Sequence, residues 1–203
     1  MSTTVAVQKD GRIVIAWDTM SSCGSTRCVN AIGPSKVLRF GASLIGVAGF
    51  MVYRNLLDHY LASKKKSPVL KDERSILDFF VEFWRELHSQ YHLVDDQSDS
   101  EAPSPFADLG AEFLIVNRYG IFRVKEILSV SRFERFCAIG SGAPHAEGAL
   151  QVLYEDGRSA KDVAEAAVRV ALEFDAASGG AVEVRDMPKH GSGRLGGRAR
   201  SKE

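Results

Sequence analysis

The chain is expected to fold as an α+β sandwich in which two antiparallel sheets stack face to face and a pair of helices covers each outer side, giving four αββα layers. Three observations predict it. The elements come in the order strands, two helices, strands, two helices and a closing strand. The short β-rich runs are joined by tight-turn signals, and the helical stretches repeat apolar residues at intervals of three and four. With 203 residues the chain has the length of one domain with a substantial core, assigned to 1–187. Residues 188–203 are rich in Gly and Arg and lack an apolar pattern, so they are expected to form a disordered tail.

Thr3 to Val7 and Arg12 to Trp17 are β-rich runs joined by Gln8-Lys9-Asp10-Gly11, where Asp-Gly is a strong hairpin signal. After an irregular stretch, Ser35 to Phe40 and Ala42 to Ala48 make a second strand pair around Gly41. From Phe50 the pattern is helical, with Leu56, Leu57, Tyr60 and Leu61 on one face, and it ends near the lysines at 64–66. The clearest helix lies between Asp72 and about Tyr91, where Ile76, Phe79, Phe80, Phe83 and Leu87 recur as a core stripe. The stretch 94–109 is acidic and aperiodic and reads as an exposed loop. Glu112 to Asn117 and Ile121 to Lys125 form a hairpin, and Phe136 to Ile139 is a strand ending at Gly140-Ser141-Gly142. A helix follows from Pro144 to about Tyr154. The last helix starts at Ser159, with Asp162 placed as in a capping box, and is expected to bury Val163, Ala166, Ala167, Val170 and Phe174. Ala181 to Val184 closes the fold.

Lys plus Arg and Asp plus Glu both number 26, so bulk charge gives no case for nucleic acid or a membrane surface as partner. Cys23, Cys28 and Cys137 are an odd set without framework or zinc-ligand spacing and read as free thiols. No basic segment followed by a long apolar run opens the chain, which reads as cytoplasmic.

Chemistry is suggested at Met1-Ser2-Thr3-Thr4-Val5-Ala6-Val7. Aminopeptidases remove Met before small residues, and Ser2 would then carry a hydroxyl nucleophile and a free amine, its own potential base. A lysine ammonium held beside that amine disfavours a second positive charge and lowers the amine's pKa from about 7.7–8. Lys36 is the candidate for that role and Asp18 its counter-ion; read alone, each equally fits a structural ion pair.

Taken in order, these stretches resemble the proteasome β-subunit family, including HslV-type bacterial peptidases, which are N-terminal nucleophile hydrolases. The resemblance covers residues 2–186. Ser2 and Asp18 stand sixteen positions apart, like the family's nucleophile and acid. Lys36, Ala48-Gly49, Gly140-Ser141-Gly142 and Asp175-x-x-Ser178-Gly179-Gly180 follow in the family's order. The resemblance implies peptide hydrolysis by Ser2, with Gly49 as oxyanion donor and Ser141, Asp175 and Ser178 as a polar group around the amine. Gly49 also fits a strand-to-helix turn, and Asp175 with Ser178 also fits a helix C-terminal turn. The implied route requires no metal or organic cofactor; in the family a structural cation sometimes sits at the loop matching Asp175–Ser178. Ser21, Ser22, Val47 and Met51 are expected to line an apolar-tolerant substrate pocket. The resemblance further implies a homo-oligomeric ring or stack of rings, a polypeptide substrate and a hexameric ATPase unfoldase. The lack of a long N-terminal extension points to a self-sufficient β-like ring, nearest to HslV or to small proteobacterial proteasome homologues.

Departures from the family pattern shape the expectations. Serine replaces the usual threonine, so the hydroxyl is less pre-aimed and turnover is expected to be slower. Lys36 follows Asp18 by eighteen residues, a longer connection than in bacterial relatives, which leaves its register open. Trp17 and Tyr53 are unusual and would either narrow the channel or pack a subunit contact. The alternatives are a catalytically silent ring subunit acting as scaffold and a small-molecule amidase of the same nucleophile class.

Overall fold

Asp10 and Gly11 have φ of 52° and 69°, the positive pair that lets a two-residue turn follow the twist of its strands. They join β1 (Thr4–Lys9) to β2 (Arg12–Asp18) in register from Thr4↔Trp17 to Lys9↔Arg12. The computed structural model describes residues 2–23, 26–28, 33–65, 67–91 and 109–187. Met1, the acidic stretch 94–108 and the tail 188–203 lie outside the described residues. Beyond β2 come β3 (Ser22–Cys23), β4 (Thr26–Arg27), β5 (Val37–Phe40), β6 (Ser43–Gly49), α1 (Met51–Ser63) and α2 (Glu73–Glu86), which runs on into a π turn at Leu87–Tyr91. Then follow β7 (Ala111–Asn117), β8 (Gly120–Val124), β9 (Val130–Phe133), β10 (Phe136–Ile139), α3 (Ala143–Leu153), α4 (Ala160–Phe174) and β11 (Val182–Asp186).

All described strand pairings are antiparallel. One sheet has the order β10-β1-β2-β11 and the other β5-β6-β7-β8-β9, with β3-β4 as a separate small hairpin. Because strand side chains alternate, each sheet presents two apolar faces, and the three resulting cores define the layers. Val5, Val7, Val14 and Ala16 face α3 and α4; Ala6, Ile15 and Trp17 meet Leu44, Ala48, Leu114 and Val116 between the sheets; Ile45, Val47, Phe113 and Ile115 face α1 and α2. This is the expected four-layer αββα arrangement.

The stripe Ile76, Phe79, Phe80, Phe83 and Leu87 is buried as predicted, and α2 starts at a full capping box between Asp72 and Ser75 that the sequence reading missed. At α4, Ser159 accepts the Asp162 N–H at 3.2 Å. The face of α4 is rotated from the expected one: Ala164, Val168 and Ala171 join Val163 and Ala167 in the core, while Ala166 and Val170 are half-buried. Small residues let the helix lie close on β1 and β2, where Phe174 would not fit. Phe174 is 69% exposed, and its ring stacks on His145 at 5.5 Å. Trp17 is 1% exposed in the inter-sheet core, so it neither narrows a channel nor packs a subunit surface. Tyr53 packs on the α1/α2 core and over Gly110. The edge strand β9 and the β3-β4 hairpin went unpredicted because their runs are short and polar.

Phe80 is fully buried with its ring 4.7 Å from that of Phe113. Phe80→Ala is expected to lower unfolding free energy by about 3–5 kcal/mol, read as an earlier urea midpoint with an unchanged slope.

Candidate active site

β2 ends by delivering Asp18 to a position with no solvent exposure, and three donors from distant parts of the chain meet its carboxylate. Oδ1 accepts the Thr3 N–H at 2.9 Å and the Lys36 ammonium at 2.8 Å, and Oδ2 accepts the Gly179 N–H at 2.9 Å. The backbone repeats the tie, since Asp18 N–H donates to the Thr3 carbonyl at 3.1 Å. Lys36 reaches this point despite the longer connection from Asp18, because the register of β5 beside β6 carries it there; its carbonyl accepts the Val47 N–H at 3.0 Å. Burial pushes the Lys36 pKa down from the ordinary lysine value, and the adjacent Asp18 only partly opposes that fall.

Ser2 is 3% exposed, two residues ahead of β1, with its neighbour Thr3 held at both its N–H and its hydroxyl. Beyond the N–H bond to Asp18, the Thr3 hydroxyl lies 2.7 Å from Ser178 Oγ. Ser178 Oγ donates to Asp175 Oδ2 at 2.6 Å, so its single proton is committed and Thr3 is the donor between the two hydroxyls. Ser141 Oγ donates to the same Asp175 oxygen at 2.6 Å, and the Ala177 N–H reaches Oδ1 at 3.1 Å. Burial raises the Asp175 pKa, but these hydrogen bonds outweigh it and hold the carboxyl below its ordinary value. Asp175 and Ser178 therefore do form a helix C-terminal turn, with the Ser178 N–H on the Asp175 carbonyl, and the same turn also supplies the polar chain leading to Thr3.

Two glycines set how closely the pieces approach. Gly140 has φ of 93°, and a Cβ there would collide with the Ser2 carbonyl oxygen. Gly49 has φ of 137° where β6 gives way to α1, and a Cβ would lie 2.5 Å from the Gly110 carbonyl oxygen. Ser2, Gly49, Lys36 and Ser141 all line one cavity of about 750 Å³.

The expected pocket residues Ser21, Ser22, Val47 and Met51 line that cavity too. Arg54, Glu112 and Glu126 add charged groups to a lining that is otherwise mostly apolar. Sequence reading placed Gly140 and Gly179 only in turn motifs and assigned Thr3 no role, whereas Gly179 donates to Asp18, Gly140 lets the Ser2 carbonyl approach, and Thr3 contributes both its N–H and its hydroxyl. Cys137 lies in the inter-sheet core, and burial pushes its thiol up to about 12, which leaves it inert. Among the described residues no cluster of His, Cys, Asp or Glu is arranged to hold a metal, and no helix is long and apolar enough to cross a membrane.

Comparison with known proteins adds an independent line. No family model matches the chain. A 78-residue stretch, 37% of the chain, is 36% identical to proteasome subunit beta 2 of Pyrobaculum islandicum and spans 38% of that protein's length. The solved structure of Thiobacillus denitrificans BPH, both alone and in complex with epoxomicin, is similar with a TM-score of 0.84 and 30% identity over 93% of this chain and 99% of that one. Eukaryotic HslV from Trypanosoma brucei shares the fold, with a TM-score of 0.61 and 21% identity over 91% of this chain and 98% of that one.

The Asp18–Lys36 pair generates a test. All three ligands of Asp18 are donors, so an amide at that position places an NH2 against at least one of them. Asp18→Asn and Lys36→Met are each expected to cost about 3–5 kcal/mol, because each strands its buried partner. The double variant is expected to cost clearly less than the sum of the two. Strict additivity in chemical denaturation would show that the pair is not coupled.

Proposed function

Since the chain belongs to the N-terminal nucleophile hydrolase family of proteasome β subunits and HslV, we propose that it is a peptidase that uses Ser2, exposed by removal of Met1, to cleave peptide bonds. The observation that carries this reading is the convergence on Thr3, just ahead of β1, of a buried Asp18–Lys36 pair and a Ser141–Asp175–Ser178 hydroxyl chain, beside a cavity lined by Ser2 and Gly49.

Ser2 Oγ attacks the scissile carbonyl while the α-amine of the same residue takes its proton. The Gly49 N–H donates to the oxygen that becomes negative, an interaction worth most in the tetrahedral state. The amine then returns the proton to the departing amine, and an ester to Ser2 remains. Water, deprotonated by the same amine, cleaves that ester and regenerates the hydroxyl. Lys36, with Asp18 as counter-ion, holds down the pKa of the amine so that its neutral form is available near pH 7. Ser141, Asp175 and Ser178 orient the terminus through Thr3 and offer a path for the proton.

The working unit is a homo-oligomeric ring, or stacked rings, in the cytoplasm that encloses its sites and receives unfolded polypeptide from a hexameric ATPase. Epoxomicin bound to the Thiobacillus denitrificans protein supports the use of an epoxyketone as a probe here.

Intact mass is expected to show the chain without Met1. Ser2→Ala is expected to assemble normally and to release no product from fluorogenic peptides. Ser2→Thr is expected to cleave at least as fast as the native chain, because the added methyl restricts χ1. Product release by Ser2→Ala at the native rate would overturn the assignment. A silent scaffold subunit would show retained Met1 and no labelling, and a small-molecule amidase would hydrolyse simple amides while leaving peptides intact.

A further inference from the structure

The cavity beside Ser2 has two walls of different chemistry, and strand register separates them. Val47 faces the α1/α2 side of its sheet, as its place in that core shows, whereas the adjacent Ala48 belongs to the inter-sheet core. Glu112 pairs with Ala48 across β6 and β7 and so shares the inter-sheet face, where its carboxylate accepts the Gly140 N–H at 3.4 Å. Glu126 lies beyond β8, at the turn whose Lys125 N–H bonds the Ser129 carbonyl. The other wall carries a cation. Arg54 follows Met51 by three residues, which places both on one face of α1 on the same side as Val47.

Arg54 is a built feature of this wall and not a waving surface side chain. Its side chain is 12% exposed; Nε donates to the Ser35 carbonyl at 3.0 Å and one terminal nitrogen to Asp58 at 2.9 Å. These two bonds fix the guanidinium plane between α1 and the segment leading to Lys36. Its remaining N–H donors have no partner among the described residues, and the group lines the cavity. Asp58 is 57% exposed, so solvent screens the pair and the carboxylate offsets the guanidinium charge in part only. A planar, pre-oriented guanidinium with donors to spare is matched by a carboxylate, which accepts in the same fork geometry.

We propose that Arg54 is a specificity-determining residue that selects an acidic side chain, Glu or Asp, on the substrate residue bearing the carbonyl attacked by Ser2. The inference rests on the peptidase reading and deepens it by naming the substrate class. It adds a charged determinant to the pocket lined by Ser21, Ser22, Val47 and Met51.

The test uses the full chain and fluorogenic peptides identical except for Glu, Ala or Lys at that residue. The ratio of kcat/KM for Glu over Ala is expected to be about tenfold or more, a scale set by a charge-assisted pair. Arg54→Gln is expected to bring the ratio close to one, and Arg54→Lys to leave an intermediate value. Asp58→Asn, which releases the competing carboxylate without touching the cavity, is expected to raise it. A ratio unmoved by Arg54→Gln, or a preference for Ala or Lys in the native chain, would overturn the proposal. If no peptide is cleaved and Ser2 takes no label, the peptidase reading fails. Binding of the same peptides to Ser2→Ala, with and without Arg54→Gln, then decides the Arg54 claim by itself: tighter binding of the Glu peptide that vanishes with Arg54 upholds it, and equal binding overturns it.

Discussion

A carboxylate shut away from water is the constraint on which the rest of this structure turns. Asp18 has no exposure, and removing a charge of that kind from solvent costs several kcal/mol unless partners replace the lost hydration. Its partners are the N–H that precedes β1, the ammonium that precedes β5 and an N–H from the turn after α4. Those groups belong to both sheets and to the outer helix layer. The carboxylate is satisfied only when all three arrive, so the three-way junction forms with the fold and holds the start of the chain in place.

From that junction the geometry passes outward by contact. Thr3, fixed at its N–H by Asp18 and at its hydroxyl by Ser178, leaves Ser2 little freedom, and Gly140 closes against the Ser2 carbonyl. Residues near the start of a chain would ordinarily be mobile, since termini fray unless tied down. Here the tie is made one residue inward, at the Thr3 N–H and hydroxyl. The same junction places Lys36, a buried lysine lowered in pKa and pinned to a carboxylate, in the lining of the cavity that Ser2 also lines.

Legibility in the sequence followed the range of the interaction. The Asp10-Gly11 hairpin and the aromatic stripe of α2 depend on neighbours within a turn or two, and both stood out from periodicity and turn chemistry. The layering could be argued from element order because each strand needs two apolar faces covered. The Asp18–Lys36 contact joins residues far apart along the chain, and only the order of motifs matching a known family pointed to it. Gly140 and Gly179 act through close approach and a backbone N–H, and Thr3 through its N–H and hydroxyl, contacts whose partners are remote in the sequence. Arg54 was missed for another reason: its place in the cavity that Ser2 lines depends on how α1 packs on the sheet, which helical periodicity does not show. Phe174 was assigned to the core on hydrophobicity alone, where the sheet surface accepts only small side chains.

The central claim, that the fold is organised to make the terminal Ser2 a nucleophile, is tested most directly by peptide mapping after reaction with an epoxyketone, an electrophile able to engage a hydroxyl and an adjacent free amine. The account predicts a single adduct on an N-terminal peptide that begins at Ser2, absent from Ser2→Ala and from protein in which Met1 is retained. An adduct elsewhere in the chain, or a quantitatively Met1-bearing protein that still hydrolyses peptides, would contradict it.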